Sequence, residues 1–281
     1  MIIKQILNNN VVISEDEKNE EVVVMGRGIA FGAKKGQVIP DDKIQKIFKN
    51  EKNCDFNYFT KLLSEIDLVN FEFIESLINY VKSSLGKKLN NSIYITLTDH
   101  INTLIERAET NAYVKNTMLW DIKRIYKDEF RVARYVVNKI NEKLGSQLDD
   151  NEAASITMHI VNAELETNMK TAVDITKTMT DILNIVKYHF KIVYDEESLS
   201  YYRFVTHLLF FTQRVFSGNT YSDDKETDLF DMVKEKYSEI YKCTLKIKEF
   251  LNDEYNYDLQ DEECLYLTIH IAKVVRESKS L

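Results

Sequence analysis

Tyr126–His159, YKDEFRVARYVVNKINEKLGSQLDDNEAASITMH, and Tyr237–His270, YSEIYKCTLKIKEFLNDEYNYDLQDEECLYLTIH, align without a gap. Each stretch ends on a histidine preceded seven residues earlier by glutamate, Glu152 before His159 and Glu263 before His270. A second match lies upstream of each. His100 in LTDHINTLIER and His207 in VTHLLFFTQR are each followed seven residues later by arginine, Arg107 and Arg214. Four of the five histidines therefore fall into two matched pairs within a duplicated module. Histidine changes charge near neutral pH, and its neutral ring is a good nucleophile. Keeping both rings in both copies points to imidazoles that are used.

The pattern around these residues is helical. Apolar residues recur at three and four, as in Phe71, Ile74, Ile78 and Val81, and in Met118, Ile122, Ile125 and Phe130. Gly86, Gly145 and Gly218 are expected helix stops. Asp149 or Asp150 is the expected cap of the helix carrying His159, and Asp261 of the helix carrying His270. The repeat period of about 110 residues suits two helical bundles of ordinary domain size. It is too long, and repeated too few times, for a solenoid.

The first 55 residues differ. They hold four of the seven glycines, Gly26, Gly28, Gly32 and Gly36, and the single proline, Pro40. Short apolar runs, Ile2-Ile3, Val11-Val12-Ile13 and Val22 to Met25, are separated by polar breaks and read as strands. A segment this small gains burial readily by dimerising. The predicted fold is multidomain: a small all-β N-terminal domain over residues 1–55, then two homologous all-α bundles over 66–170 and 171–281.

The bulk composition narrows the class. A net charge of −8 argues against a generic polyanion binder. Cys54, Cys243 and Cys264 form no CxxC pair and leave an odd one over, so they read as reduced packing thiols in a cytoplasmic protein. No apolar run approaches membrane-spanning length, so no membrane insertion is expected. No HExxH or HxxxH spacing supports a metal site on the histidine pairs, and no cofactor is expected.

The opening MIIKQILNNNVVIS with VVVMGRGIAFGAKKG resembles the co-antiterminator RNA-binding domain of the BglG/LicT/SacY family of transcriptional antiterminators. The helical repeat resembles that family's two PTS regulation domains. LGKKLNNSIYITLTDHI, LWDIKRIYKDEF and ITMHIVNAE look closest to its LicT branch. The resemblance covers essentially the whole chain. It implies a cytoplasmic homodimer that binds a leader-RNA hairpin, prevents terminator formation in a sugar operon, with β-glucoside use as the expected case, and performs no catalysis. It also implies histidine phosphorylation of His100, His159, His207 and His270 by phosphorylated HPr and a sugar-specific Enzyme II.

The family's RNA contacts map onto Asn8, Asn10, Gly26, Arg27 and Phe31, all of which match. Gln5 departs from the pattern, since LicT-like members often carry lysine there. At period two, Lys4, Asn8 and Asn10 share a face. Asn amides suit base edges and 2′-hydroxyls, Arg27 suits a phosphate or guanine edge, and Phe31 suits stacking. Gly26 and Gly28 would let RNA approach the backbone. Read from the residues alone, Asn8 to Asn10 also suits a plain turn, Gly26-Arg27-Gly28 a hairpin and Phe31 a core position. The Lys43-Lys46-Lys49-Lys52 spacing reads as a solvated face.

A seven-residue separation on a helix is about two turns, roughly 10.5 Å, on nearly one face. Arg107 and Arg214 therefore point with His100 and His207, toward an incoming phosphoryl group or toward Glu152 and Glu263. An Arg–Glu tie bracketing each histidine pair is the expected arrangement. Asp99 reads as a solvated acid, and His189, without a counterpart in the repeat, as structural. The alternatives are a DNA-binding activator with the same regulatory domains, which needs a helix-turn-helix at its start, and a histidine metal-binding protein.

Overall fold

Val22, Val23, Val24 and Met25 are all buried, so this strand is covered on both faces. That is why it reads as a continuous apolar run and not as an alternation. The computed structural model describes residues 1–49, 56–109, 114–217 and 227–278. β1 (Gln5–Asn8), β2 (Val11–Glu15), β3 (Glu21–Met25) and β4 (Lys46–Lys49) form an antiparallel sheet in sequence order. Val12, Val22 and Val24 pack on one face with Ile3, Ile29 and Ile39. Val11, Val23 and Met25 pack on the other against Phe59, Leu62, Leu63, Ile66, Phe71 and Ile95.

The second set comes from helices: α1 (Phe56–Glu65), α2 (Leu68–Leu85) and α3 (Ile93–Glu109). Burial that the small N-terminal segment needs is thus supplied in part by the same chain. Two details depart from the sequence-based expectation. Ile2-Ile3 is not a strand; Ile2 makes an isolated bridge to Val38 and Ile3 is a core residue. β4 falls within the lysine series read as a solvated face. Lys46 pairs with Glu75 and lies over the Phe48 and Tyr94 rings, because Phe48 must reach Phe59, 5.1 Å between centroids. Lys52 and Cys54 lie outside the described residues.

The helices continue with α4 (Leu119–Ile125), α5 (Lys127–Leu144), α6 (Asp150–Glu164), α7 (Met169–Phe190), α8 (Leu199–Ser217), α9 (Thr227–Lys236), α10 (Ser238–Tyr255) and α11 (Asp261–Ser278). Contacts group them into two compact units, Met1–Leu119 with Asp128–Glu166, and Trp120–Lys127 with Thr167–Leu281. Phe71, Ile74, Ile78 and Val81 are buried along α2 as their spacing predicts. The Met118-to-Phe130 pattern is divided between α4 and α5, and Met118 precedes α4.

Gly86 and Gly145 close α2 and α5 at φ +61° and +66°. Gly218 lies outside the described residues. Asn256 closes α10 at φ +51°, at the repeat position of Gly145; Asn is the side chain that best tolerates this region after glycine. Asp149 caps α6 by accepting from the Asn151 N–H at 2.9 Å. Asp261 is not a cap. It is the first residue of α11, and Glu263 reaches back to the Gln260 N–H at 3.3 Å. Cys243 and Cys264 are buried and unbridged. Among the described residues no helix is long and apolar enough to cross a membrane.

Candidate functional site

Packing α3 against α6 brings the His100 and His159 rings to 4.7 Å between centroids. Packing α8 against α11 brings His207 and His270 to 4.0 Å. The arginines and glutamates close on the same places. Arg107 Nη2 lies 3.4 Å from Glu152 Oε1, and Arg214 Nε lies 4.0 Å from Glu263 Oε1. Both glutamates are buried. A buried carboxylate needs a cationic or hydrogen-bonding partner, so each arginine answers its glutamate before any ligand arrives.

The two sites differ in what else touches the rings. In the first, His100 Nε2 lies 3.6 Å from Glu152 Oε2. In the second, Glu263 instead accepts from the Tyr257 hydroxyl at 2.8 Å, and the Tyr266 hydroxyl is hydrogen-bonded to His207 Nδ1. The corresponding residues of the first repeat are Ser146 and Ser155. Sequence reasoning missed Tyr266, although it stands four residues before His270 on one helix, a spacing that shares a face. His189 sits on α7 with its ring against Phe190, 4.6 Å between centroids. Asp99 is not simply solvated: the Tyr58 hydroxyl of α1 is hydrogen-bonded to it.

Burial, then the charge of His100, holds His159 down to about 3. Burial, then His207 and Lys273, holds His270 down to about 4. Burial, then Lys273 and Arg203, lowers His207. These three rings are neutral at physiological pH, as a nucleophilic nitrogen requires. The same shifts make acid costly. Below the ordinary value of 6.5 the unfolded chain takes protons that the folded His159 and His270 refuse. Stability therefore falls as pH drops from 6.5 toward 4, with a ceiling of about 1.4 kcal/mol per pH unit for each ring. Thermal melts of the His159→Gln variant are expected to show a shallower fall than wild type over that window. Parallel slopes would refute this reading.

In the N-terminal sheet, the bulge between Ile6 and Asn8 breaks the period-two alternation, and Asn10 sits in the turn to β2. Lys4, Asn8 and Asn10 therefore do not share a strand face. Asn8 Oδ1 accepts from the Asn10 N–H at 2.8 Å, and its Nδ2 donates to the Leu63 carbonyl on α1 at 3.0 Å. Asn10 Oδ1 accepts from the Gly28 N–H at 2.8 Å. A Cβ on Gly26 would stand 1.8 Å from the Lys43 carbonyl oxygen, so its missing side chain makes room for this chain's own backbone. These contacts shape the loop from which Arg27 and Phe31 project. Phe31 is 77% exposed. Arg27 is exposed, with Glu72 of α2 3.6 Å from its guanidinium. Helix α1 touches both regions, through Leu63 at Asn8 and through Tyr58 at Asp99 beside His100.

Among the described residues no group of three or more His, Cys, Asp or Glu side chains is placed to hold a metal ion.

Residues 1–56 match the CAT RNA binding domain, and residues 75–163 and 180–274 each match the PRD domain. Transcription antiterminator LicT of Bacillus subtilis is 47% identical over 99% of this chain and 100% of its own length. The beta-glucoside operon antiterminator of Dickeya chrysanthemi is 40% identical over 99% of this chain and 98% of its own. The crystal structure of GlcT CAT-PRDI superposes with a TM-score of 0.48 at 36% identity, covering 58% of this chain and 97% of that one.

Proposed function

We infer the function from the premise that this chain belongs to the family of transcriptional antiterminators in which a CAT RNA-binding domain is followed by two PRD domains. It is a transcriptional antiterminator, a regulator that binds RNA through its N-terminal module. The modules are residues 1–55, 66–170 and 171–281. Two N-terminal domains pair symmetrically and clamp an imperfect hairpin in a leader transcript. Because the hairpin overlaps a terminator stem, holding it lets transcription continue. The operon is one for β-glucoside use, as the name of the Dickeya relative suggests for that protein.

Arg27 and Phe31 meet the RNA directly, and Asn8, Asn10 and Gly26 hold the surface they stand on. His100, His159, His207 and His270 accept phosphate from a sugar-specific Enzyme II at the first module and from phosphorylated HPr at the second. The donors supply the catalysis. The observation that carries this reading is that each helical repeat brings two histidines ring to ring beside a buried glutamate paired with an arginine.

A gel shift with the cognate RNA hairpin and with duplex DNA of the same sequence tests the nucleic-acid side. Arg27→Ala is expected to weaken hairpin binding by about 1–3 kcal/mol with folding unchanged. Arg27 is exposed and its ion pair to Glu72 is solvated, so little stability rests on it. Unchanged affinity, or preference for the duplex, would overturn the assignment.

A further inference from the structure

We propose that the two modules take phosphate on different ring nitrogens, His207 on Nε2 and His100 on Nδ1, and that Tyr266 is the positioning residue that sets the choice at His207. The proposal rests on the phosphorylation reading above and adds the atom at which each transfer occurs.

A neutral imidazole carries its proton on one nitrogen and its nucleophilic lone pair on the other. The partner of one nitrogen therefore selects the atom that attacks. At His207 that partner is the Tyr266 hydroxyl, hydrogen-bonded to Nδ1. The Tyr266 ring also stands edge-on to His270, 4.6 Å between centroids, so both rings of the pair hold it in place. Burial keeps the Tyr266 phenol protonated, its pKa raised above the ordinary value. The contact itself fits either direction. In the proposed arrangement the phenolic oxygen accepts from Nδ1–H, which leaves the lone pair on Nε2, where among the described residues no hydrogen bond stands.

At His100 the environment is reversed. Nε2 is buried without a hydrogen bond and faces Glu152 Oε2 at 3.6 Å. The carboxylate favours the proton on Nε2, which is also the nitrogen an incoming donor cannot reach. The lone pair is then on Nδ1. The repeat position of Tyr266 is Ser155, whose hydroxyl is turned back onto its own helix and accompanied by Asn116. The first module therefore lacks the hydroxyl contact that commits Nδ1 in the second.

Each transfer balances without another reactant. The donor–phosphorus bond breaks and its electron pair returns to the donor. The lone pair of His207 Nε2, or of His100 Nδ1, forms the new N–P bond. The ring proton stays on the opposite nitrogen, against Tyr266 in one case and Glu152 in the other.

Two measurements test this on the full chain. The first needs no phosphate: ¹⁵N shifts of the histidine rings report tautomers, with His207 expected as Nδ1–H and His100 as Nε2–H. In the second, phosphorylated HPr is the probe, with His207 the one acceptor left by His100→Ala, His159→Ala and His270→Ala. The product, digested in alkali, is separated into its two phosphohistidine isomers. The Nε2 isomer is expected to dominate, and Tyr266→Phe to raise the Nδ1 share severalfold. A chain keeping only His100, phosphorylated by its Enzyme II, should give the Nδ1 isomer. An Nε2–H tautomer at His207, an Nδ1 product there, or an isomer ratio untouched by Tyr266→Phe overturns the proposal alone. Absence of phosphate from all four histidines of the wild-type chain overturns it together with the reading beneath it.

Discussion

His100→Asp lowers antitermination in cells, and His207→Asp combined with His270→Asp raises it in cells lacking HPr. This is the expected result of a leader–reporter assay. A phosphoryl group adds roughly −1.5 to −2 charges, and aspartate imitates part of that. The surroundings of the two sites give the charges opposite consequences. His100 faces the buried Glu152 carboxylate at 3.6 Å, so negative charge there meets negative charge. Arg107 is the nearest answer, and it is already engaged with Glu152.

His207 and His270 lie instead in the field of Lys273, with Arg203 also acting on His207. New negative charge there finds cations and draws the packing together. Two unit charges about 4 Å apart interact by up to about 4 kcal/mol in a partly screened site. A net bias of about 1.4 kcal/mol between two packings already shifts their ratio tenfold. Changes of about tenfold in reporter output, of opposite sign, are therefore the expected scale. His→Ala at the same positions removes the acceptor without adding charge and should not imitate either variant. If both acidic variants move output the same way, opposed control by the two modules fails here, whatever the RNA data say.

Gly26→Ala is the substitution expected to damage the RNA-binding module most. The added Cβ would stand 1.8 Å from the Lys43 carbonyl oxygen, and the obstacle is backbone, which cannot rotate away. The neighbouring chain is tied down. The Gly26 N–H donates to the Asn10 carbonyl at 3.0 Å, and the Gln45 N–H donates to the Met25 carbonyl at 2.9 Å. Relief must break part of that set and move the loop carrying Arg27 and Phe31. Overpacking of this kind costs about 1–3 kcal/mol and sometimes more.

Gly32→Ala is the control. Gly32 has φ +70° but nothing within 4 Å of a built Cβ, so only backbone strain of about 1–2 kcal/mol is added. Thermal melts and hairpin gel shifts of the two variants make the comparison. Gly26→Ala should melt lower and lose more RNA affinity than Arg27→Ala, because it displaces the whole loop. If it melts no lower than Gly32→Ala, the close approach at Lys43 does not matter to the fold.

Local pattern carried much of this molecule into view. The gapless repeat placed His159, His270, Glu152 and Glu263 on corresponding helices, and the match upstream of it placed His100, His207, Arg107 and Arg214. The helix stops at Gly86 and Gly145 follow from a backbone conformation that glycine adopts freely. Val22 to Met25 declared a strand because a short, β-branched run with polar residues before it and glycine after it suits a covered sheet position. Spacing and chirality act over a few residues, so they can be read from a line of letters.

What escaped such reading depends on residues far apart in the chain. Lys46 is drawn onto Phe48, Tyr94 and Glu75 only because α1, α2 and α3 cover that face of the sheet. Asn8 and Lys4 do not share a face because a bulge at β1 shifts the register by one, and Asn10 lies past the end of the strand in the turn to β2. Tyr266 reaches His207 across 59 residues of sequence, and Ser155 in the same repeat position makes no such contact with His100. Which nitrogen of each imidazole is engaged is set by the packing of α3 on α6 and of α8 on α11. Periodicity can say that two side chains share a helix face; only the meeting of two helices says which atoms they present to each other.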